Sequence, residues 1–111
     1  MAHEYGQARQ KFMSTPQLSP VIHAPNRLQI CAFLSPLAEA DFQVLREELQ
    51  VSDSVLSKHI KQLQDAGYVK QHKNRIDGKR RTWVSLTNDG RSAFDAHVEE
   101  LRRLVNMVPI A

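Results

Sequence analysis

The sequence predicts a mainly α-helical chain with one small β-hairpin, an α+β fold formed by a single domain. Apolar residues recur every three or four positions along most of the chain, as amphipathic helices require. The pattern becomes strand-like only on the two sides of Asp77-Gly78, a dipeptide typical of tight hairpins. The chain has 111 residues, of which 41% are hydrophobic, so it can form one modest core. Enzymes built on barrels of about 250 residues are excluded by length.

The first half of the chain predicts an arm, a turn, a helix and a short strand. Residues 1–17 show no periodicity and are expected to form an N-terminal arm. Residues 18–22 lie among prolines, so we expect only a single turn there. A helix is predicted to start at residue 25 or 26 and to end at Leu34, because Pro36 stops it. Residues 39–42 predict a brief extended segment.

Two further helices follow with a very short connection. The first is predicted over residues 43–50, where Phe42, Leu45 and Leu49 repeat at helical spacing. Ser52 is a good N-cap for the next helix, and Gly67 suits the position just after its end. The apolar stripe of this third helix consists of Leu56, Ile60 and Leu63.

The last third predicts a hairpin and a long helix. Residues 68–76 and 79–86 contain the β-branched and aromatic residues that favour strands. Thr87 is the expected N-cap of a final helix that runs to about Val108 and is ended by Pro109.

The second and third helices are separated only by residues 50–52, which is typical of a helix-turn-helix. In this motif the second helix enters the DNA major groove. The side of the third helix that faces away from its apolar stripe is cationic and carries small hydroxyls. We expect four of its residues to contact phosphates or base edges: Ser54, Ser57, Lys58 and Lys61. An ordinary solvent-exposed helix face is the alternative interpretation.

Positive charge is concentrated in one segment. The chain has a formal net charge of +3, whereas residues 54–83 hold eight Lys or Arg and two Asp, which gives 8 − 2 = +6. At the hairpin tip, KNRIDGKRR at 73–81, cations repel one another, and a DNA duplex would relieve that repulsion. A solubilising turn is the alternative. The predicted DNA-binding cations of the hairpin are Lys73, Arg75, Lys79, Arg80 and Arg81.

The final helix is longer than a core of this size can cover, since about 20 residues span about 30 Å. Its distal apolar residues would then need a second subunit to cover them, although a role in the chain's own core is the competing explanation. In a homodimer, two third helices would lie about 34 Å apart on a pseudo-palindromic operator. The predicted dimerisation residues are Leu101, Leu104, Val105 and Val108.

Two stretches carry a resemblance to a known family. They are LREELQVSDSVLSKHIKQLQDAGYVKQHK at 45–73 and DGKRRTWVSLTNDGRSAF at 77–94. In this order they resemble the small winged-helix transcriptional regulators of the MarR/ArsR type, and the similarity extends over residues 18–104. The resemblance implies a winged helix-turn-helix with a long C-terminal dimerisation helix, in a homodimer that regulates transcription.

The resemblance also implies roles for residues and segments. It assigns base contacts to the outward face of the third helix and backbone contacts to the hairpin, or wing. We divide the chain into an N-terminal arm at 1–17, a DNA-binding domain at 18–87 and a dimerisation helix at 88–111. Members that sense small molecules carry extra helices, so the sequence identifies no effector here.

Other chemistry has weaker support. Cys31 lies on an apolar helix face and is expected to pack as a small hydrophobe. The five histidines have no zinc-binding spacing, although a site that includes His97 across a dimer stays possible. His59 is expected to be half-buried and bonded to nearby backbone. We expect no cofactor, no metal and no enzyme activity, because no catalytic motif occurs.

The sequence also indicates where the protein acts and which other functions compete. The sequence has a single cysteine and a polar start, and its apolar stretches are far shorter than the about 20 residues that a membrane span needs. We therefore expect a cytoplasmic protein with no membrane segment. The alternatives to DNA binding are a protein-interaction module with the same fold and a switch controlled by a ligand or by redox state.

Overall fold

The computed structural model describes residues 16–109, and within this range the chain forms five helices and a three-stranded sheet. The predicted arm at 1–17 therefore lies outside the described residues except for its last two positions. The elements are α1 (Pro20–His23), α2 (Pro25–Leu34), β1 (Ala40–Asp41), α3 (Phe42–Leu49), α4 (Asp53–Asp65), β2 (Val69–Ile76), β3 (Lys79–Leu86) and α5 (Asn88–Asn106). This order confirms the predicted mainly α-helical fold with one hairpin.

Side-chain caps determine where the helices begin. Ser19 caps the single turn of α1 by accepting a hydrogen bond from the Ile22 N–H at 3.2 Å. Ser52, the predicted cap, accepts one from the Val55 N–H at 3.2 Å. Between α3 and α4 the chain turns through Gln50, which adopts a left-handed φ of 54°. The short helix-turn-helix connection is therefore made by one left-handed residue and one cap.

The hairpin forms as its sequence predicts. Asp77 and Gly78 have φ values of 55° and 74°, and two positive φ values in a two-residue loop define a type I′ turn. In the sheet, β3 lies between β1 and β2, and both pairings are antiparallel. Because β1 covers one edge of β3 only at Ala40 and Asp41, the outer part of the hairpin extends beyond the sheet.

One apolar core joins the helices to the base of the hairpin. It contains Leu56, Ile60 and Leu63 of α4, the predicted stripe, each with no exposed surface. The other core residues are Ile22, Ile30, Cys31, Leu34, Ala40, Leu45, Val69, Val84, Leu86 and Phe94.

Helix α5 packs closely against the start of the hairpin. A Cβ atom at Gly90 would lie 1.9 Å from the backbone oxygen of Tyr68, so only glycine permits this approach. Thr87, the predicted cap, accepts a hydrogen bond from the Gly90 N–H at 2.9 Å and donates one to the Gly67 oxygen at 2.6 Å. The first turn of α5 is thereby fixed to the base of the wing.

Two local predictions need correction. The final helix ends at Asn106, two residues before the predicted end at about Val108, and the N–H groups of Met107 and Val108 close it by donating to Leu104 and Val105 in tighter turns. His59 is half-buried as expected, but its partners are the side chains of Asn26 and Arg27 rather than nearby backbone. Residues more than 30 positions away supply these contacts, so local sequence does not reveal them.

His97 of α5 is buried and holds the segment around α1. Its Nδ1 accepts a hydrogen bond from the Ser19 N–H at 3.1 Å, and its Nε2 lies 3.3 Å from Nδ1 of His23. Because Nδ1 accepts, the neutral ring carries its proton on Nε2 and donates it to His23. Burial, with a smaller effect from His23, lowers the pKa of His97.

We expect this histidine to make folding stability depend on pH. A lowered folded-state pKa means that the unfolded chain binds more protons below about pH 6.5, so the free energy of unfolding should fall as the pH drops from 7 toward 5. His97→Gln cannot titrate; it should cost about 1–3 kcal/mol at pH 7 and flatten the curve. Urea denaturation at each pH measures both effects. His72→Gln, on the exposed wing, is the matched control, and parallel curves for His97→Gln and wild type would refute the role of His97.

Candidate nucleic-acid interface

The predicted reading face of α4 is exposed. Ser54, Ser57, Lys58 and Lys61 are all exposed, on the side away from the buried stripe. Lys61 Nζ lies 3.5 Å from Asp65 Oδ2, and both side chains are largely exposed, so this pair is weak and leaves the lysine mobile. The arrangement presents two hydroxyls and two ammonium groups along about two helical turns.

An ion pair that the sequence did not reveal holds the start of α4. The Nε atom of Arg46, in α3, lies 3.0 Å from Asp53 Oδ1 and 3.0 Å from Gln43 Oε1. The pair crosses the helix-turn-helix connection and couples the two helices at the end that carries Ser54 and Ser57. It also leaves one carboxylate, partly neutralised, beside the reading face.

The reading face and the wing adjoin. Gln71 of β2 donates to Gln64 Oε1 of α4 at 2.7 Å. Beside this bond, a cleft of about 330 Å³ lies between the helix and the hairpin. Its lining includes Ser57 of α4 together with Lys73 and Thr82 of the wing. The two surfaces are therefore neighbours on the same side of the molecule.

Strand pairing divides the wing cations between the two faces of the hairpin. Lys73 is opposite Thr82 and Arg75 is opposite Arg80, so these four side chains share one face with Gln71. Lys79 and Arg81 belong to the other face. Three of the five predicted wing cations, Lys73, Arg75 and Arg80, thus lie on the face that meets α4, whereas two do not. The alternation was readable from the sequence once the turn had been placed.

A buried carboxylate fixes the base of the wing. Arg81 donates to Asp41 Oδ2 at 2.6 Å, and the Asp41 side chain is only 7% exposed. The second oxygen of Asp41 accepts the Gln43 N–H at 2.7 Å and so caps α3. Burial raises the pKa of Asp41, but these two hydrogen bonds outweigh it and hold the pKa below its usual value. The Arg81 side chain is still 48% exposed, so part of its guanidinium faces solvent.

The predicted dimerisation residues lie at the far end of α5 and just beyond it. Val105 and Val108 are 67% and 66% exposed, and Leu101 and Leu104 are partly buried. The apolar stripe of the helix therefore continues past the chain's own core. Two aliphatic side chains remain uncovered in the isolated chain.

The other chemical candidates are placed as follows. Burial raises the pKa of the Cys31 thiol to about 11, which keeps it protonated and poorly reactive at neutral pH. Within residues 16–109, no three His, Cys, Asp or Glu side chains come together in a way that could hold a metal ion. In the same range, no helix has the length and hydropathy that a membrane span needs.

Comparisons with known proteins show which sequences and structures this chain resembles. The chain is 36% identical over 78 residues to the uncharacterized protein MJ0432 of Methanocaldococcus jannaschii, a match that covers 70% of this chain and 85% of that protein. It is 26% identical to a transcriptional regulator homologue of Pyrococcus horikoshii OT3, with a TM-score of 0.78 and coverage of 94% and 99% of the two chains.

A third similar structure carries a family name. ZitR of Lactococcus lactis, described as a zinc-responsive MarR family member, is 18% identical with a TM-score of 0.60 over 96% of this chain and 76% of that one. At this identity the likeness shows the shared fold, which is that of MarR-like regulators. A family model described as a winged helix DNA-binding domain matches residues 26–105. The structures similar to this chain include transcriptional regulators. The chain itself belongs to the winged helix DNA-binding domain family.

Proposed function

We propose that this chain is a cytoplasmic, sequence-specific transcriptional regulator that binds double-stranded DNA as a homodimer. Helix α4 would lie in the major groove, and the wing would contact the flanking backbone or minor groove. The observation that carries this proposal is the cleft at which Ser57 of α4 meets Lys73 and Thr82 of the wing. Through this cleft, α4 and the wing form one continuous surface, and a duplex would contact both elements at once.

The wing's charge supports an anionic partner. Arg75 and Arg80 are directly opposite each other on adjacent strands, and like charges in that position destabilise a hairpin. Lys73 adds a third charge on the same face. Phosphates would neutralise these groups and release condensed counterions, which favours binding. A wing that served only as a hairpin would gain nothing from this arrangement.

The residues divide into reading and anchoring groups. Lys58, Lys61 and Ser57 project from the exposed face of α4, and Ser54 lies at its start, so this group would contact base edges and nearby phosphates. On the wing, Lys73, Arg75 and Arg80 would bind the backbone beside α4. Lys79 and the exposed part of Arg81 would reach phosphates farther out. Residues 18–87 form the DNA-binding part in this proposal.

The C-terminal part, residues 88–111, would form the dimer. Val105 and Val108 are exposed at the far end of the chain, and a second subunit that packs there would bury them. A two-fold symmetric contact there would present two copies of α4 to a pseudo-palindromic operator, with half-sites about 34 Å apart.

Removing a reading lysine should weaken specific binding. We expect Lys58→Ala and Lys61→Ala each to raise the Kd for a duplex selected from a random library by the wild-type protein by about 5- to 100-fold. Fluorescence anisotropy at fixed salt measures this. Lys70→Ala removes the same charge from the hairpin face opposite Lys73 and should change Kd less than either variant. Equal losses in all three would mean that α4 does not read the sequence.

Salt dependence tests the wing. If Arg80 binds a phosphate, Arg80→Gln should reduce the slope of log K against log salt by about 0.9, because one fewer counterion is released. Lys70→Gln, on the other face, should leave the slope close to that of wild type. An unchanged slope in Arg80→Gln would remove the wing face from the interface and would favour the protein-interaction alternative.

The dimer is tested by charge placed on its apolar patch. We expect Val105→Glu to convert a dimer of roughly 25 kDa, twice 12.7 kDa, to the monomer, because an unpaired carboxylate cannot be buried without a large cost. The chain's own fold should persist, since Val105 is 67% exposed. Sedimentation equilibrium measures the mass, with Gln29→Glu, at an exposed position of α2, as the control of equal charge. A dimeric Val105→Glu protein would refute this interface.

A further inference from the structure

Arg27 of α2 makes an unusual number of contacts for a half-buried side chain. Its Nε donates to the backbone oxygen of Val21, and its Nη1 donates to Gln62 Oε1. Nη1 also lies 3.4 Å from His59 Nδ1, and Nη2 lies 3.5 Å from the backbone oxygen of Pro20. All three guanidinium nitrogens are thus engaged, two of them with α1 and one with α4.

The contact to His59 has a defined direction. Arginine only donates, so in this contact Nδ1 of His59 accepts and the neutral ring carries its proton on Nε2. Asn26, whose amide lies 3.3 Å from Nε2, must then present its amide oxygen to that proton. Burial first, and then the Arg27 charge, lower the pKa of His59 and so favour that neutral form. His59 and Gln62 flank Lys58 and Lys61 along α4, which places the Arg27 contacts directly beside the proposed reading residues.

Helix α1, which receives the other half of the guanidinium, is itself held by α5. The Ser19 N–H at its cap donates to His97, and His23 at its end faces the same imidazole. A continuous set of hydrogen bonds therefore runs from His97 of α5, through the single turn of α1, to Arg27 and on to α4. The turn has four residues, so both sets of contacts act on one short rigid body.

We propose that Arg27 is a positioning residue for DNA recognition: by bridging the α1 carbonyls to Gln62 and His59, it sets the orientation of α4 relative to the dimerisation helix α5. The inference rests on the proposed function and deepens it. Arg46–Asp53 and Gln64–Gln71 hold α4 against α3 and the wing. Arg27 supplies the connection toward α5.

The chemistry of the side chain makes the proposal specific. A guanidinium presents five N–H groups in a fixed planar fork, which allows acceptors on two different elements to be held at once. A lysine at this position would keep the positive charge but could not reproduce that geometry. A direct phosphate contact by Arg27 makes the opposite prediction, because lysine would then substitute well.

The test compares Arg27→Lys and Arg27→Gln with wild type on two probes, a duplex selected by wild type from a random library and poly(dI-dC). We expect both variants to bind the selected duplex about 10-fold more weakly, with poly(dI-dC) affinity and the salt slope unchanged. Lys70→Arg and Lys70→Gln, on the hairpin face opposite Lys73, are the controls and should stay close to wild type. Wild-type affinity in both Arg27 variants would overturn the inference, while rescue by lysine with a reduced slope in Arg27→Gln would indicate a phosphate contact instead.

A second measurement needs no DNA. In Arg27→Gln, amide hydrogen exchange in residues 59–63 should be about 10-fold faster, and exchange in β3 should be unchanged. Exchange that is unchanged in α4, or faster by the same factor throughout, would overturn a positioning role. If wild type prefers no duplex at all, the proposed function fails, and these exchange rates alone then decide whether Arg27 positions α4.

Discussion

The buried carboxylate of Asp41 is a central contact for the geometry of the proposed DNA-binding surface. Asp41 lies in β1, where its backbone pairs with Trp83 of β3. Its carboxylate caps α3 by accepting the Gln43 N–H, and it also accepts a hydrogen bond from Arg81 of the wing. A charge that is 7% exposed requires such compensation, since an unpaired buried carboxylate costs about 3–5 kcal/mol. A rotation of the wing away from the helix-turn-helix would break the Arg81 contact and leave the buried Asp41 carboxylate with backbone N–H partners alone. Asp41 therefore holds the wing to the helices together with the Gln64–Gln71 hydrogen bond and the buried base of the hairpin.

The same surface shows a conflict between stability and function. The outer hairpin has almost no apolar side chain to bury, and Arg75 and Arg80 repel each other across the strands. Its conformation depends on the type I′ turn at Asp77-Gly78 and on its buried base at Val69, Val84 and Leu86. Local rules that favour folding are broken where an anionic partner would contact the chain, as is common at functional sites.

Local signals made much of the fold predictable. Ser52 and Thr87 cap the helices that they were expected to cap, and Asp77-Gly78 forms the expected turn, because each signal acts within four residues. Contacts between distant residues were not predictable. Arg81 and Asp41 are separated by 40 positions and Ser19 and His97 by 78, and no periodicity links them. The predicted reading face follows from the helical period alone, and the two faces of the wing follow from the strand period once the Asp77-Gly78 turn fixes the register.

These distant contacts would affect how accurately the two subunits of the proposed homodimer are placed on DNA. In the proposed homodimer, the separation of the two reading helices depends on the angle between α4 and α5 within each subunit, and symmetry doubles any error in that angle. Apolar packing is weakly directional, because the hydrophobic effect depends mainly on the area that is buried. Hydrogen bonds are directional and weaken steeply below about 120°. The polar path through His97, α1 and Arg27 therefore supplies the angular constraint that the buried faces of α4 and α5 cannot provide alone.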